Sequence, residues 1–262
     1  MRLEVITRLP EEDAGRTPLL FVHGACCTAA VWENFLPYFA ERGFEAHAVS
    51  LRGHGGSEGR ERIRTIRVAE YIEDVAQTAD RLRMSPVLIG HSLGGYVLQK
   101  YLERHTAPAV VLLATAPVSG LCRCLARMAK HHPLQAAKLH LTWTPHAAFE
   151  TPDLARELLF SPDVSEEVLR RCFAGLQHES YYAGVECTWL NLPRPARVNR
   201  VPMLVLGAED DILFSCREVQ ATARAYGAPV EFFPNMAHMM MLEARWEQVA
   251  GRIAGWLDKQ RL

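Results

Sequence analysis

Short apolar runs rich in Val, Ile and Leu recur along the chain, and between them lie stretches in which apolar residues return every three or four positions. The runs are Leu3 to Thr7, Leu19 to Val22, Glu45 to Val49, Val87 to Ile89, Ala109 to Leu113, Met203 to Leu206 and Val230 to Phe232. Each is too short for a stable helix, and most are too evenly apolar for a sheet with one wet face, which predicts strands covered by helices on both sides. The fold class is therefore α/β, with a mostly parallel central sheet flanked by helices. Between the third and fourth runs, Val68, Tyr71, Ile72, Val75, Ala79 and Leu82 share one helical face. That spacing predicts a helix packed on the sheet, with Glu70, Glu73, Asp74 and Arg81 turned to water. From Pro117 to Arg197 the strand-like runs stop, and helical stretches alternate with prolines at 133, 145, 152, 162, 193 and 195. Prolines at such intervals break one helix after another. The chain thus divides into a core, residues 1–116 and 198–262, and an inserted helical lid, residues 117–197.

Composition narrows the function classes. The 262 residues are 49% hydrophobic and 23% charged, as in ordinary globular proteins. Lys and Arg number 29 against 30 Asp and Glu, so no basic field exists to hold nucleic acid or an anionic surface. The seven cysteines are an odd number without paired metal-ligand spacing, and they read as reduced thiols. The five histidines between Pro117 and Arg197 have no acidic partner in a ligand pattern, so no metal is expected. The first residues, MRLEVITRLPEED, lack the apolar core of a signal peptide, and no later run is long enough to span a bilayer. A cytoplasmic protein with no integral membrane association is the expectation.

Chemistry concentrates in three places. Val87-Leu88-Ile89-Gly90-His91-Ser92-Leu93-Gly94-Gly95-Tyr96 runs from an apolar strand through Gly-x-Ser-x-Gly into a helical pattern. A serine between strand and helix sits on a tight turn that lifts its hydroxyl out at the carboxyl end of the sheet, and the flanking glycines let backbone pass close. The N–H of Leu93, opening the helix, would face an oxyanion beside that serine. Serine needs a base, and the base needs an orienting group. Gly207-Ala208-Glu209-Asp210-Asp211-Ile212 places carboxylates after one strand, and Phe233-Pro234-Asn235-Met236-Ala237-His238 places a histidine after the next. Composition and spacing leave Glu209, Asp210 and Asp211 nearly equal as the acid. His91, next to the serine on a tight turn, would point away from it and reads as structural.

With these motifs in order, the chain resembles the α/β-hydrolase fold superfamily, serine-hydrolase branch, in its esterase, monoacylglycerol lipase and lysophospholipase-like members. His23-Gly24-Ala25 resembles the family's His-Gly loop, which implies that the Ala25 N–H is the second oxyanion donor. Leu51-Arg52-Gly53-His54-Gly55-Gly56-Ser57 resembles the family's Arg-Gly-His-Gly-x-Ser turn, implying an architectural role for Arg52 and His54. The Gly-x-x-Asp-x-Ile pattern implies that Asp210 is the triad acid and His238 the base. One departure is Ala237, where many members have glycine.

The resemblance implies a catalytic triad of Ser92, Asp210 and His238 cleaving a carboxylic ester, with no cofactor and a small-molecule ester as partner; a homodimer remains open. Cys26, Trp143 and Phe149 are candidates for lining the substrate pocket, against the plainer reading of each as packing. The aromatic content of the lid favours a hydrophobic short- to medium-chain group. The same triad would also serve a thioesterase or a C–C bond hydrolase, or act as acid and base in a lyase or cofactor-free oxygenase.

Overall fold

Seven strands form one sheet in the order β1-β3-β2-β4-β5-β6-β7 in a computed structural model that describes residues 1–12, 14–142 and 149–262, without the side chains of residues 139–142. They are β1 (Val5–Arg8), β2 (Leu19–Val22), β3 (Ala46–Val49), β4 (Val87–His91), β5 (Val110–Leu113), β6 (Met203–Ala208) and β7 (Val230–Phe233). Only β1 runs antiparallel, pairing with β3 at the sheet edge. The strands from β2 to β6 are buried at every position, which explains why they read as continuous apolar runs.

All seven predicted runs are strands, but β4 and β6 each continue two residues past the predicted end. Their extra residues, Gly90-His91 and Gly207-Ala208, lack a bulky apolar signature, yet their backbones pair with Leu112-Leu113 and Phe232-Phe233. The extension of β6 has a consequence for the site below.

Helices α1 (Phe35–Ala40), α2 (Val68–Ala79) and α3 (Leu93–Tyr101) precede β5. The apolar stripe of α2 packs on the sheet as its spacing predicts, with Tyr71 and Val75 fully buried. Its polar face departs from expectation at Asp74, which is also fully buried. The carboxylate of Asp74 accepts the Arg52 backbone N–H and side-chain Nε–H, each at 2.8 Å, while Glu70 and Glu73 take the other guanidinium nitrogens. Burial of this charge is tolerated because it is paired and hydrogen-bonded. The pair anchors the turn after β3 to α2.

Between β5 and β6 the described residues form helices joined by loops, with no strand among them. It contains α4 (Cys122–His131), α5 (Pro133–Thr142), α6 (Pro152–Leu159), α7 (Glu166–Gly175) and α8 (Tyr181–Val185), then a single π turn over Glu186–Leu190. Ser and Thr caps start the later helices: the hydroxyls of Thr151, Ser165 and Ser180 accept the N–H groups of Leu154, Val168 and Ala183. Helices α9 (Cys216–Tyr226) and α10 (Trp246–Gln260) complete the layers. Among the described residues no helix is long and apolar enough to cross a membrane.

Candidate active site

Ser92 stands between β4 and α3 with φ 51° and ψ −116°, a strained backbone for a residue bearing a side chain. Such strain costs about 1–3 kcal/mol and persists only where the surroundings hold it. Here they do: the Ser92 N–H donates to Leu113 O at 3.1 Å, and Ser92 O accepts from the N–H groups of Ala116 and Tyr96. The turn is also closely packed. A Cβ on Gly94 would lie 2.3 Å from Val22 O, and one on Gly24 would lie 2.9 Å from Ser92 Cβ. Gly24→Ala is therefore expected to destabilise the fold by about 1–3 kcal/mol, measured by urea denaturation.

The loops after β6 and β7 bring acid and histidine together, with one correction. Asp211, not Asp210, meets the histidine: His238 Nδ1 lies 2.8 Å from Asp211 Oδ2. Asp210 is exposed. The reason is the longer β6. Because the strand continues through Ala208, the N–H of Glu209 pairs with Phe233 O and that of Asp210 with Met236 O, and the turn comes one residue later than the Gly-x-x-Asp spacing implies. Asp211 is 6% exposed, and its other oxygen accepts the N–H groups of Leu213 and Phe214 at 2.8 and 3.0 Å. Both carboxylate oxygens are thus committed, and the imidazole is held with Nδ1–H toward the acid.

Two further side chains steady the histidine loop. His91 Nε2 lies 3.0 Å from the His238 carbonyl oxygen. Burial, with His238 alongside, pushes His91 well below the ordinary histidine pKa, so its ring is a neutral donor there. Glu243 accepts the N–H of Ala237 at 3.0 Å and, from the segment between β5 and β6, the N–H of Ser161 at 2.8 Å and its hydroxyl at 2.5 Å. Sequence reading did not single out Glu243, whose partners lie six and 82 residues away.

Ser92 and His238 open onto one cavity of about 180 Å³, also lined by Ala25 and Leu93. Leu125 and Met128 of α4 and Phe149, just before α6, give it apolar walls, and Cys26 lies in its lining. Of the residues expected in the pocket, Cys26 and Phe149 are there, and Trp143 falls outside the described residues. The wall also holds the thiols of Cys27, Cys124 and Cys187. Burial pushes all four thiols up, Cys124 to about 12 and the others well above their ordinary value. Burial thus disfavours the thiolate, the reactive form, in all four.

The loop bearing Ala25 is a reverse turn in which the Cys27 N–H reaches Gly24 O at 3.3 Å. Cys26, its third residue, has φ 62°. A turn of this kind favours glycine at that place, and a side chain there costs about 1–2 kcal/mol. The neighbouring His23 is fully buried and fixed as one tautomer: Leu51 N–H donates to its Nε2 at 3.0 Å, and its Nδ1–H donates to Gly24 O at 2.7 Å. Burial, with His54 nearby, holds the His23 pKa at about 3.

One carboxylate in the wall has no motif around it. Glu179, between α7 and α8, is 2% exposed. Its Oε1 accepts the Tyr71 hydroxyl and the Ser180 N–H, both at 2.6 Å, and its Oε2 accepts the Cys26 N–H at 3.1 Å. His54 Nε2 lies 3.4 Å from Oε2, a charge contact longer than a good hydrogen bond. Burial alone would raise the Glu179 pKa, but His54 and the donated hydrogen bonds hold it at about 2. Burial likewise opposes charge on His54, and Glu179 more than offsets it, raising the His54 pKa above the ordinary value.

Residues 19–252 match the model of the alpha/beta hydrolase family. The chain is 28% identical over 108 residues to a pyrethroid hydrolase from Sphingobium wenxiniae, covering 40% of this chain and 38% of that protein. It is 33% identical over 106 residues to a non-heme chloroperoxidase from Streptomyces lividans, covering 38% of each. These matches therefore span well under half of either relative. A thermophilic esterase from Thermogutta terrifontis superposes with a TM-score of 0.76 over 99% of this chain and 94% of that one, at 20% identity, a likeness of fold alone.

Proposed function

From the premise that the chain belongs to the alpha/beta hydrolase family, we propose that it is a serine hydrolase cleaving a carboxylic ester through an acyl-enzyme on Ser92, with His238 as base and Asp211 as its orienting acid. The observation that carries this reading is His238, bound on Nδ1 by Asp211 at 2.8 Å and sharing a cavity with the strained Ser92. With Nδ1–H given to the acid, Nε2 is the ring nitrogen left to accept the Ser92 proton.

Ser92 Oγ attacks the acyl carbon as His238 Nε2 takes the hydroxyl proton, and the carbonyl electrons move onto oxygen. The N–H groups of Ala25 and Leu93 receive that oxyanion. Collapse breaks the ester bond, and the imidazolium returns its proton to the leaving alcohol. Water, deprotonated by the same imidazole, then releases the acid and restores Ser92. None of these steps needs a cofactor. The helical insertion acts as a lid, since α4 lays Leu125 and Met128 against the cavity that holds Ser92.

The apolar walls favour a hydrophobic short- to medium-chain group. A buried CH₂ contributes about 0.8 kcal/mol, so two more acyl carbons should raise kcat/KM roughly tenfold until the cavity is full. A series of esters from acetate to octanoate measures this, and a flat or falling series would defeat the hydrophobic-pocket reading. Intact mass after rapid mixing tests the mechanism itself. An acyl adduct on Ser92 is expected, whereas a lyase or cofactor-free oxygenase using the same groups as acid and base would form none.

A further inference from the structure

The Ala25 donor belongs to a turn whose backbone does not favour its own residues, and the insertion supplies what holds it. We propose that Glu179 is a positioning residue for the oxyanion hole, its carboxylate fixing the Ala25-Cys26 turn; this rests on the reading of Ser92 as nucleophile and Ala25 as oxyanion donor.

The argument starts from the two ends of Cys26. Its N–H donates to Glu179 Oε2 at 3.1 Å, and its carbonyl accepts the Gln177 N–H at 2.8 Å. Two residues of the insertion therefore grip one residue of the core loop from both sides. Cys26 has φ 62°, where a non-glycine residue is strained. Left to itself, such a turn relaxes by rotating the Ala25-Cys26 peptide, which brings φ of Cys26 negative and exchanges the places of the Cys26 N–H and the Ala25 carbonyl; the Ala25 N–H lies on the preceding peptide and loses its fixed direction as the turn repacks around that change. A carboxylate opposes that rotation twice, because it loses a donor and then faces a carbonyl oxygen.

Glu179 is suited to this as an anion. Its four contacts come from Tyr71, Ser180, Cys26 and His54, so each oxygen is occupied by donors, and its pKa near 2 keeps it charged. The His54 partner also matters for the reaction. A negative charge in the cavity wall opposes an oxyanion, and the imidazole of His54, whose pKa Glu179 raises, stands 3.4 Å from Oε2. His54 in turn is held at Nδ1, 3.2 Å from Arg52 O, in the turn that Asp74 anchors. Gln177 ties to that same turn, its Oε1 accepting the Gly55 N–H at 2.9 Å. Docking of the insertion and formation of the oxyanion hole are then one event.

The test is a double-mutant cycle on the intact protein. Glu179→Gln replaces one accepting oxygen with an NH₂ group that must face a donor, so Cys26 is expected to relax. We expect kcat to fall about 10- to 100-fold, less than complete loss of an oxyanion donor, with KM changed less than about threefold. The rate at which a fluorophosphonate labels Ser92 should fall in parallel, because phosphonylation uses the same hole. Cys26→Gly removes the strain, since glycine adopts positive φ freely. In the Cys26→Gly background the penalty for Glu179→Gln should therefore shrink below about threefold. A simple loss of insertion stability would lower activity equally in both backgrounds, so an unchanged penalty overturns the proposal, as does a Glu179→Gln kcat within twofold of the parent. If Glu179→Gln gives no cooperative melt, Glu179→Asp carries the same cycle: it keeps the charge and withdraws the carboxylate from Cys26. A loss that Cys26→Gly restores supports the proposal, and one that it does not restore overturns it. Wild-type protein not labelled at Ser92 would instead refute the serine-hydrolase reading, a result visible before any Glu179 variant is made.

Discussion

Ser92→Ala is expected to remove nearly all ester turnover, a loss on the order of 10⁶ in kcat, while the fold stays intact. The side chain removed is small and lies on a turn whose hydrogen bonds are all made by backbone, to Leu113, Tyr96 and Ala116. Nothing in those bonds needs the hydroxyl. Alanine retains the backbone strain at φ 51°, so the variant should melt close to the parent. Residual catalysis would come from the oxyanion donors and substrate binding alone. Activity within tenfold of the parent, or phosphonylation at a cysteine, would overturn the mechanism.

The second large effect separates two adjacent aspartates. Asp211→Asn should lower kcat by about 10⁴, and Asp210→Asn by less than about twofold. The asymmetry follows from the partners. Asp211 uses one oxygen for the Leu213 and Phe214 N–H groups and the other for His238 Nδ1. Asparagine has only one accepting oxygen. Keeping that oxygen on the two backbone donors turns the NH₂ toward Nδ1, which must then give up its proton, so the proton moves to Nε2 and the ring can no longer accept from Ser92. The opposite orientation leaves two buried N–H groups facing a donor. Asp210 makes its structural contact through its backbone N–H to Met236 O, which asparagine keeps. Steady-state kinetics on the two variants decides between them, and the reverse ranking would restore Asp210 as the acid.

That pair also marks where the sequence stops being readable. Strands announce themselves where side chains are bulky and apolar, so β2, β3 and β5 are plain, and the strand-to-helix passage through Ser92 is plain because glycines bracket it. The end of β6 is not, because Gly207 and Ala208 pair through backbone that carries no side-chain signature. Spacing leaves three carboxylates nearly equal there, and the resemblance's Gly-x-x-Asp-x-Ile pattern points to Asp210, one position short of the residue that meets His238. Asp74 departs from its expected exposure for a related reason: helical periodicity sorts polar from apolar faces and carries no sign that Arg52 stands against the polar side. Glu179 is harder still. Its partners Tyr71 and Cys26 are 108 and 153 residues away, and no local pattern around His178-Glu179-Ser180 distinguishes a buried anion from a solvated one.

The thiols in the cavity wall set terms for anyone designing a covalent ligand. Cys26, Cys27, Cys124 and Cys187 share the cavity wall with Ser92, yet burial raises the pKa of each of them. Soft electrophiles such as maleimides and chloroacetamides draw their speed from thiolates, so in this cavity they gain proximity without reactivity, and exposed Cys122 becomes the site they modify first. Hard electrophiles at phosphorus or acyl carbon are the ones the proposed mechanism favours, since Ser92 and His238 line the same cavity. Selective occupancy of this protein is therefore a matter of choosing the warhead for the serine and spending the thiols only as polarizable wall, where sulfur contacts reward aromatic and halogenated groups.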